Sequence, residues 1–183
     1  MYVPSRQHSI VKILTASLLQ CGQLAKVLGS KVSFPGNSAY ETSQDSYFSL
    51  QEAALSPACV IVPSSPQDVA DAVTIISGIP SCQFAIKGQT HAPAAGFANV
   101  NAGVTIDMTP LSSVEINDDK TVASIGGGAS WLDVYTYLDS FGLSVAGGRN
   151  GAVGVGGKSW CRSLFSPYRC FPARRVIQIV QLV

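Results

Sequence analysis

Charge is scarce in this 183-residue chain: Asp, Glu, Lys and Arg make up 13% of it, and the formal net charge is +1. A nucleic-acid surface needs clustered Lys and Arg, and no basic run occurs, so no nucleic-acid partner is expected. Histidine is scarcer still, with only His8 and His91. A zinc site at Cys161 and Cys170 would lack two further ligands nearby, so no metal is expected. No apolar run is long enough to span a bilayer as a helix, because Lys12 interrupts the best stretch, "SIVKILTASLLQC" at 9–21. Arg6 and Lys12 supply the basic start of a secretory signal, but the unbroken apolar stretch and the small-residue cleavage site are lacking. Residues 9–28 read instead as an amphipathic helix.

What the chain does have is apolar residues, glycine and cysteine. Apolar residues at 46% allow a sizeable core, and the length suits one domain. The 17 glycines cluster between 88 and 157, where backbone must turn tightly or approach a ligand closely. Five cysteines cannot all pair within the chain. Cys59, in the apolar run "CVIV", reads as a small buried hydrophobe.

Residues 32–57, marked by Pro, Gly, Ser and aromatics, read as an ordered connecting segment. "CVIVP" (59–63) reads as a buried strand. Ser65-Pro66-Gln67-Asp68 then starts a helix, with Ser as cap, Pro in the first turn and an acid after it; Gly78 and Pro80 stop it. Strands are expected at 83–88 and 103–108, and a pair about a turn at Asp118-Asp119. Ser130 caps a helix whose Trp131, Val134, Tyr135 and Leu138 share one face, the spacing of core packing. "LSVAGG" (143–148) reads as a further strand. The class is α+β, with glycine-rich loops at 88–96, 126–129 and 147–157 after predicted strands. Three such loops predict a large ligand with an anionic part.

"GAVGVGGKS" (151–159) invites a triphosphate-binding reading, which its spacing refuses. A P-loop requires glycine at 152, where Ala152 stands. The loop should also lead into a helix, yet Pro167 and Pro172 interrupt the stretch after Ser159. No G-x-G-x-x-G opens the first strand–helix unit either. Glycine-rich turns can nonetheless bind phosphate through backbone N–H groups alone.

The stretches "PACVIVPSSPQDVADAV", "FAIKGQTHAPAAGFANVNAGVTIDMTPLSSV" and "IGGGASWLDVYTYLDSFGLSVAGGRNGAVGVGG" occur in the order found in FAD-linked oxidases. Over residues 21–157 the chain resembles the berberine-bridge-enzyme-like group, with its vanillyl-alcohol-oxidase or PCMH-type FAD-binding domain. The resemblance implies FAD as cofactor, contacted by Lys87, Gly88, Gln89, Thr90, His91, Gly96, Asp107, Thr109, Gly147, Gly148, Val153, Gly154, Gly156 and Gly157. His91 matches the histidine that bonds covalently to the flavin 8α-methyl carbon, a role suited to a nucleophilic imidazole. Spacing alone leaves the alternative of a loop histidine bonded to backbone. Gln89 and Thr90 replace glycines of the family's turn. Asn150 stands where a second attachment form places a cysteine, so the implied link runs through His91 alone. The resemblance also implies a disulfide between Cys21 and Cys82, with a buried free-thiol pair as the alternative.

After Gly157 the pattern breaks: "KSWCRSLFSPYRCFPARRVIQIVQLV" keeps echoes of it but loses the family's triple glycine, as a shifted reading frame or misplaced exon junction would. The resemblance therefore implies the N-terminal portion of a longer enzyme, organised as 1–54 (helix and connecting segment) and 55–183 (incomplete FAD-binding domain). The family reaction is hydride transfer from an alcohol, amine or sugar carbon to FAD, with reoxidation by oxygen. No catalytic acid or base of that reaction is recognised here. The partner implied is a small-molecule substrate of the intact enzyme. Secretion is the family tendency, and no membrane association is expected. The alternative is a non-catalytic chain that binds FAD weakly or not at all.

Overall fold

The computed structural model describes residues 19–79, 82–159, 175–176 and 178–182. The chain divides into two compact units, Met1–Lys87 with Ala92–Asp107, and Gly88–His91 with Met108–Val183.

The first unit is built on a sheet of four strands in the order β1-β2-β4-β3. These are β1 (Val32–Ser33), β2 (Cys59–Ile61), β3 (Phe84–Lys87) and β4 (Val104–Asp107). β2 and β3 both run parallel to β4, and β1 is antiparallel to β2. The two inner strands are buried at every position, as parallel strands covered on both faces require. Helix α4 (Pro66–Ser77) carries the chain from β2 over to β3 and buries Val69, Ala72 and Ile76. Its start is as expected: the Ser65 side chain accepts from the Asp68 N–H and the Asp68 carboxylate accepts from the Ser65 N–H, a reciprocal cap. Lys31 donates to Asp68 at 2.6 Å, and that bond first, then the Ser64 N–H, holds the Asp68 carboxyl well below its ordinary range.

Of the expected helix at 9–28, residues 19–28 are helical (α1) and bury Cys21, Leu24 and Leu28; the remainder lies outside the described residues. The segment 32–57 is more than a connector. It contains β1, α2 (Ser38–Asp45) and α3 (Leu50–Ala53). Hydrophobic period alone misses these elements because their inward side chains include Ser43, Gln44 and Glu52, all buried. The Glu52 carboxylate accepts from the N–H groups of Gly96, Phe97 and Ala98, the last two at 2.8 Å. Ser49 Oγ donates to the Pro93 carbonyl and Tyr47 to that of Ala98, so this segment holds the chain over 93–98 by polar bonds.

The expected Cys21–Cys82 disulfide is corrected: Cys21 is bonded to Cys59, with a Cα–Cα distance of 6.0 Å. Cys59 is fully buried as expected but is not a free thiol. The reason lies in the sheet order. Cys59 sits on β2, whereas Cys82 precedes β3, with β4 between the two strands. Cys82 is free, and burial raises its thiol pKa, partly offset by the Gln20 amide.

The second unit contains β5 (Val114–Ile116), β6 (Val122–Gly126), α5 (Trp131–Asp139), β7 (Leu143–Ser144), α6 (Gly156–Ser159), β8 (Arg175–Val176) and β9 (Gln178–Leu182). β5 and β6 form the expected antiparallel pair, and β9 adds to β6 in parallel. The strand expected at 143–148 is limited to Leu143–Ser144, paired with β8. Ser130 and Asp133 cap α5 reciprocally. Its Trp131, Val134 and Leu138 form one buried cluster with Ala123, Ile125, Ala129, Leu143 and Val155.

Candidate cofactor site

Three stretches of the second unit meet at backbone distance, and they are the glycine-rich loops singled out in the sequence. Loop 88–91 comes after β3, loop 126–129 after β6, and residues 150–156 lead into α6. A Cβ built on Gly88 would lie 3.3 Å from the Gly127 carbonyl oxygen. One built on Gly154 would lie 2.7 Å from Cβ of Gln89. The Val155 N–H donates to the Ala129 carbonyl and the Trp131 N–H to that of Val153, which pairs Ser130 with Gly154. The Gln89 side-chain amide donates to the Gly128 carbonyl at 2.6 Å.

The glycines here answer to two separate demands. Gly126 and Gly128 have no room for a side chain, because a Cβ would collide with the carbonyls of Leu111 and Met108. Gly147 and Gly148 lie flat against the Trp131 indole, and the Tyr135 hydroxyl donates to the Gly148 carbonyl at 2.7 Å. Burial raises the pKa of that hydroxyl, which stays a donor at neutral pH. These four glycines serve the packing of the unit itself. Gly157 is different, with nothing within 4 Å of an added Cβ. Gly148→Ala is therefore expected to cost about 1–3 kcal/mol through overpacking against Trp131 and Gly157→Ala close to nothing. Thermal unfolding of the two variants checks this, and equal losses would refute the packing account.

The first loop carries the group best suited to an anion. Among the described residues the N–H groups of Gly88, Gln89 and Thr90 have no hydrogen-bond acceptor, and the same holds for Gly154, whereas Gly127 directly follows the last pair of the β6–β9 ladder. Gly88, Gln89, Thr90 and His91 are all half-buried. Half-buried backbone donors require a partner, from water or from a ligand, and successive N–H groups in a turn form an anion-binding concavity. The donor set fits the diphosphate of a dinucleotide and asks for no lysine. A single helical turn, α6, does close the "GAVGVGGKS" stretch, but Ala152 is exposed and replaces the glycine that a triphosphate loop requires.

The other candidates are spread over both units. Thr109 directly succeeds Met108, whose carbonyl abuts Gly128, and Val153 packs against the α5 cluster. Gly156 and Gly157 open α6. Gly96, Lys87 and Asp107 belong to the first unit. Gly96, at φ +87°, turns the exposed segment that Glu52 holds. The Lys87 ammonium is buried and committed to partners of its own unit: Asp107 Oδ2 at 2.8 Å, the Ser43 carbonyl and hydroxyl, and Ser46 Oγ. It also sits 4.7 Å from the centroid of the Tyr47 ring. Burial first, and the Asp107 carboxylate second, raise the Tyr47 pKa so far that the hydroxyl stays protonated. Loop 126–129 is marked in the sequence by its run of three glycines, but the family resemblance assigns none of them to the site. Reading by motif misses Glu52, whose partners lie more than 40 residues away in sequence.

An α+β fold with converging glycine turns and unpaired donors defines a dinucleotide-cofactor-binding protein. Comparison with known proteins agrees: residues 57–159 match the family described as "FAD binding domain". The chain belongs to that family of FAD-binding domains. It is 38% identical over 144 residues to the FAD-dependent monooxygenase sdcF of Emericella nidulans, covering 78% of this chain and 30% of that protein. It is 36% identical over 162 residues to the FAD-dependent monooxygenase CTB5 of Cercospora beticola, covering 84% and 31%. The chain thus spans about a third of the length of these relatives. Among solved structures it is similar to glucooligosaccharide oxidase from Acremonium strictum, at 27% identity and a TM-score of 0.61, covering 78% of this chain and 29% of that one. That enzyme is described with a 6-S-cysteinyl, 8α-N1-histidyl FAD. The Physcomitrella patens BBE-like 1 variant D396N, at 23% identity and a TM-score of 0.61, shares the fold. The PCMH-type fold expected from the sequence is the fold of these neighbours. The family match ends at Ser159, within two residues of the point where the sequence leaves the expected pattern.

Proposed function

We propose that the chain is the cofactor-binding portion of an FAD-linked oxidase or monooxygenase, with the flavin joined covalently to His91. The observation that carries this reading is the convergence of three glycine-rich loops around backbone N–H groups that have no acceptor among the described residues. The N–H groups of Gly88, Gln89 and Thr90 bind the diphosphate, and Gly154 supplies a further donor. His91 ends this turn, and its half-buried imidazole would attack the 8α carbon once that methyl has given up a proton; the imidazole proton would leave to solvent, and the electron pair would reduce the flavin ring until oxygen takes it up. Gly147, Gly148, Val153, Gly156 and Gly157 shape the third loop. When bound, FAD would supply a two-electron acceptor for hydride from an alcohol, amine or sugar carbon, with oxygen as the final oxidant. Lys87, Gly96, Asp107 and Thr109 enter as contacts that the resemblance implies. The substrate is a small molecule bound by the intact enzyme.

A second reading, a chain that binds FAD weakly and does not turn over, is favoured by the side chains of Gln89 and Thr90 in the diphosphate turn. One experiment separates the two. The purified chain is incubated with FAD and denatured in acid, and flavin absorbance is tracked through desalting. Absorbance that stays with the protein, and is lost in His91→Ala, is the expected result. An adduct that survives in His91→Ala overturns the assignment of the link, and flavin released by acid from the unaltered chain means non-covalent binding.

A further inference from the structure

The side chain between the three loops belongs to Gln89. Its amide nitrogen reaches across to the Gly128 carbonyl at 2.6 Å, and its Cβ and Cγ lie 2.7 and 3.0 Å from where a Cβ on Gly154 would stand. One residue thus spans from the first loop to the second while filling the space left by the absent side chain of the third.

We propose that Gln89 is an internal competitor for the cofactor site: its side chain bridges the loops of the cofactor-free protein and must be displaced for the dinucleotide to enter. This rests on the FAD reading above. A ligand that accepts hydrogen bonds from residues 88–90 and from Gly154 lies among these loops, and the Gln89 stem and amide lie there already. The amide bond to Gly128 is intramolecular and requires no ligand, so it stabilises the cofactor-free arrangement. Giving it up on binding subtracts from the affinity by the same amount, because the two effects are linked. A single hydrogen bond is worth about 0.5–1.5 kcal/mol net, which converts to roughly a three- to tenfold change in affinity.

The test uses the full chain and Gln89→Ala. Gln89 does not adopt positive φ, so alanine fits the same backbone. Two quantities are read for each protein: the FAD dissociation constant from flavin fluorescence, and the unfolding midpoint without FAD. The expected result is opposite signs, with FAD bound about three- to tenfold more tightly and a lower midpoint for the cofactor-free variant. ADP, which carries the diphosphate without the flavin, shows the same gain. A merely structural Gln89 would move both quantities downward, and that outcome overturns the proposal, as does an unchanged FAD affinity. Gln89→Glu keeps the length of the side chain but replaces the donor with a negative charge beside the phosphates; FAD binding weaker than in the unaltered chain is expected, and equal or tighter binding overturns the proposal. Failure of the unaltered chain and both variants to bind FAD defeats this inference together with the FAD reading. Binding by the unaltered chain with no gain in Gln89→Ala defeats this inference alone.

Discussion

Lys87→Met is expected to destabilise the folded chain by about 3–5 kcal/mol, the loss found when one partner of a buried ion pair is removed. Lys87 is 1% exposed, and its ammonium is the cation 2.8 Å from Asp107 Oδ2. Methionine fills a similar volume, so the loss comes chiefly from charge. Asp107 would keep the Ser43 hydroxyl as donor but would lie buried without its cation. The Ser46 hydroxyl would also lose its donor, while the Ser43 carbonyl would keep only that of Ser46. The double variant Lys87→Met/Asp107→Leu removes the stranded charge and is expected to recover most of the loss. Denaturant unfolding of the three proteins checks the account; a double variant as unstable as the single one would sink it. The ladder between β3 and β4 brings the pair together, since Lys87 and Asp107 are partners in register at the strand ends.

Cys59→Ser is expected to cost nearly as much, about 4 kcal/mol for a loop of this length in the chain-entropy account. The bridge closes a sequence separation of 38 and ties α1 to β2. Cys82→Ser, by contrast, leaves that crosslink intact and is expected to change stability little. Peptide mapping without reduction distinguishes the pairings directly: a Cys21–Cys59 peptide is expected, and a Cys21–Cys82 peptide would overturn the assignment.

These two contacts also mark where local pattern stops being informative. Each involves residues that stand out in the sequence, yet their partners are not legible there. The family resemblance makes Lys87 and Asp107 cofactor contacts, whereas their mutual bond depends on two strands lying side by side in register. The same resemblance pairs Cys21 with Cys82, and the order β1-β2-β4-β3 brings Cys59 to it instead. The glycines divide in the same way. The sequence marks them as backbone under constraint, but the constraint at Gly147 and Gly148 is an indole face and at Gly128 a carbonyl, whereas Gly154 rests on Gln89.

What the sequence by itself determined is what neighbours in the chain decide. Ser65 with Asp68 and Ser130 with Asp133 start helices because a cap acts across three residues. The Asn117–Lys120 turn joins β5 to β6, with Lys120 at positive φ, because turn-forming residues stand between two β-patterned runs. The α5 face packs inward because Trp131, Val134 and Leu138 recur at helical spacing. The tertiary structure alone decided that the three glycine-rich loops share one place, that Glu52 holds the segment beyond His91, and that Gln89 stands between the loops. Those contacts join residues 39 to 65 positions apart, and no local pattern encodes them. They depend on strand order and register, which emerge only when the buried faces of the sheets pack.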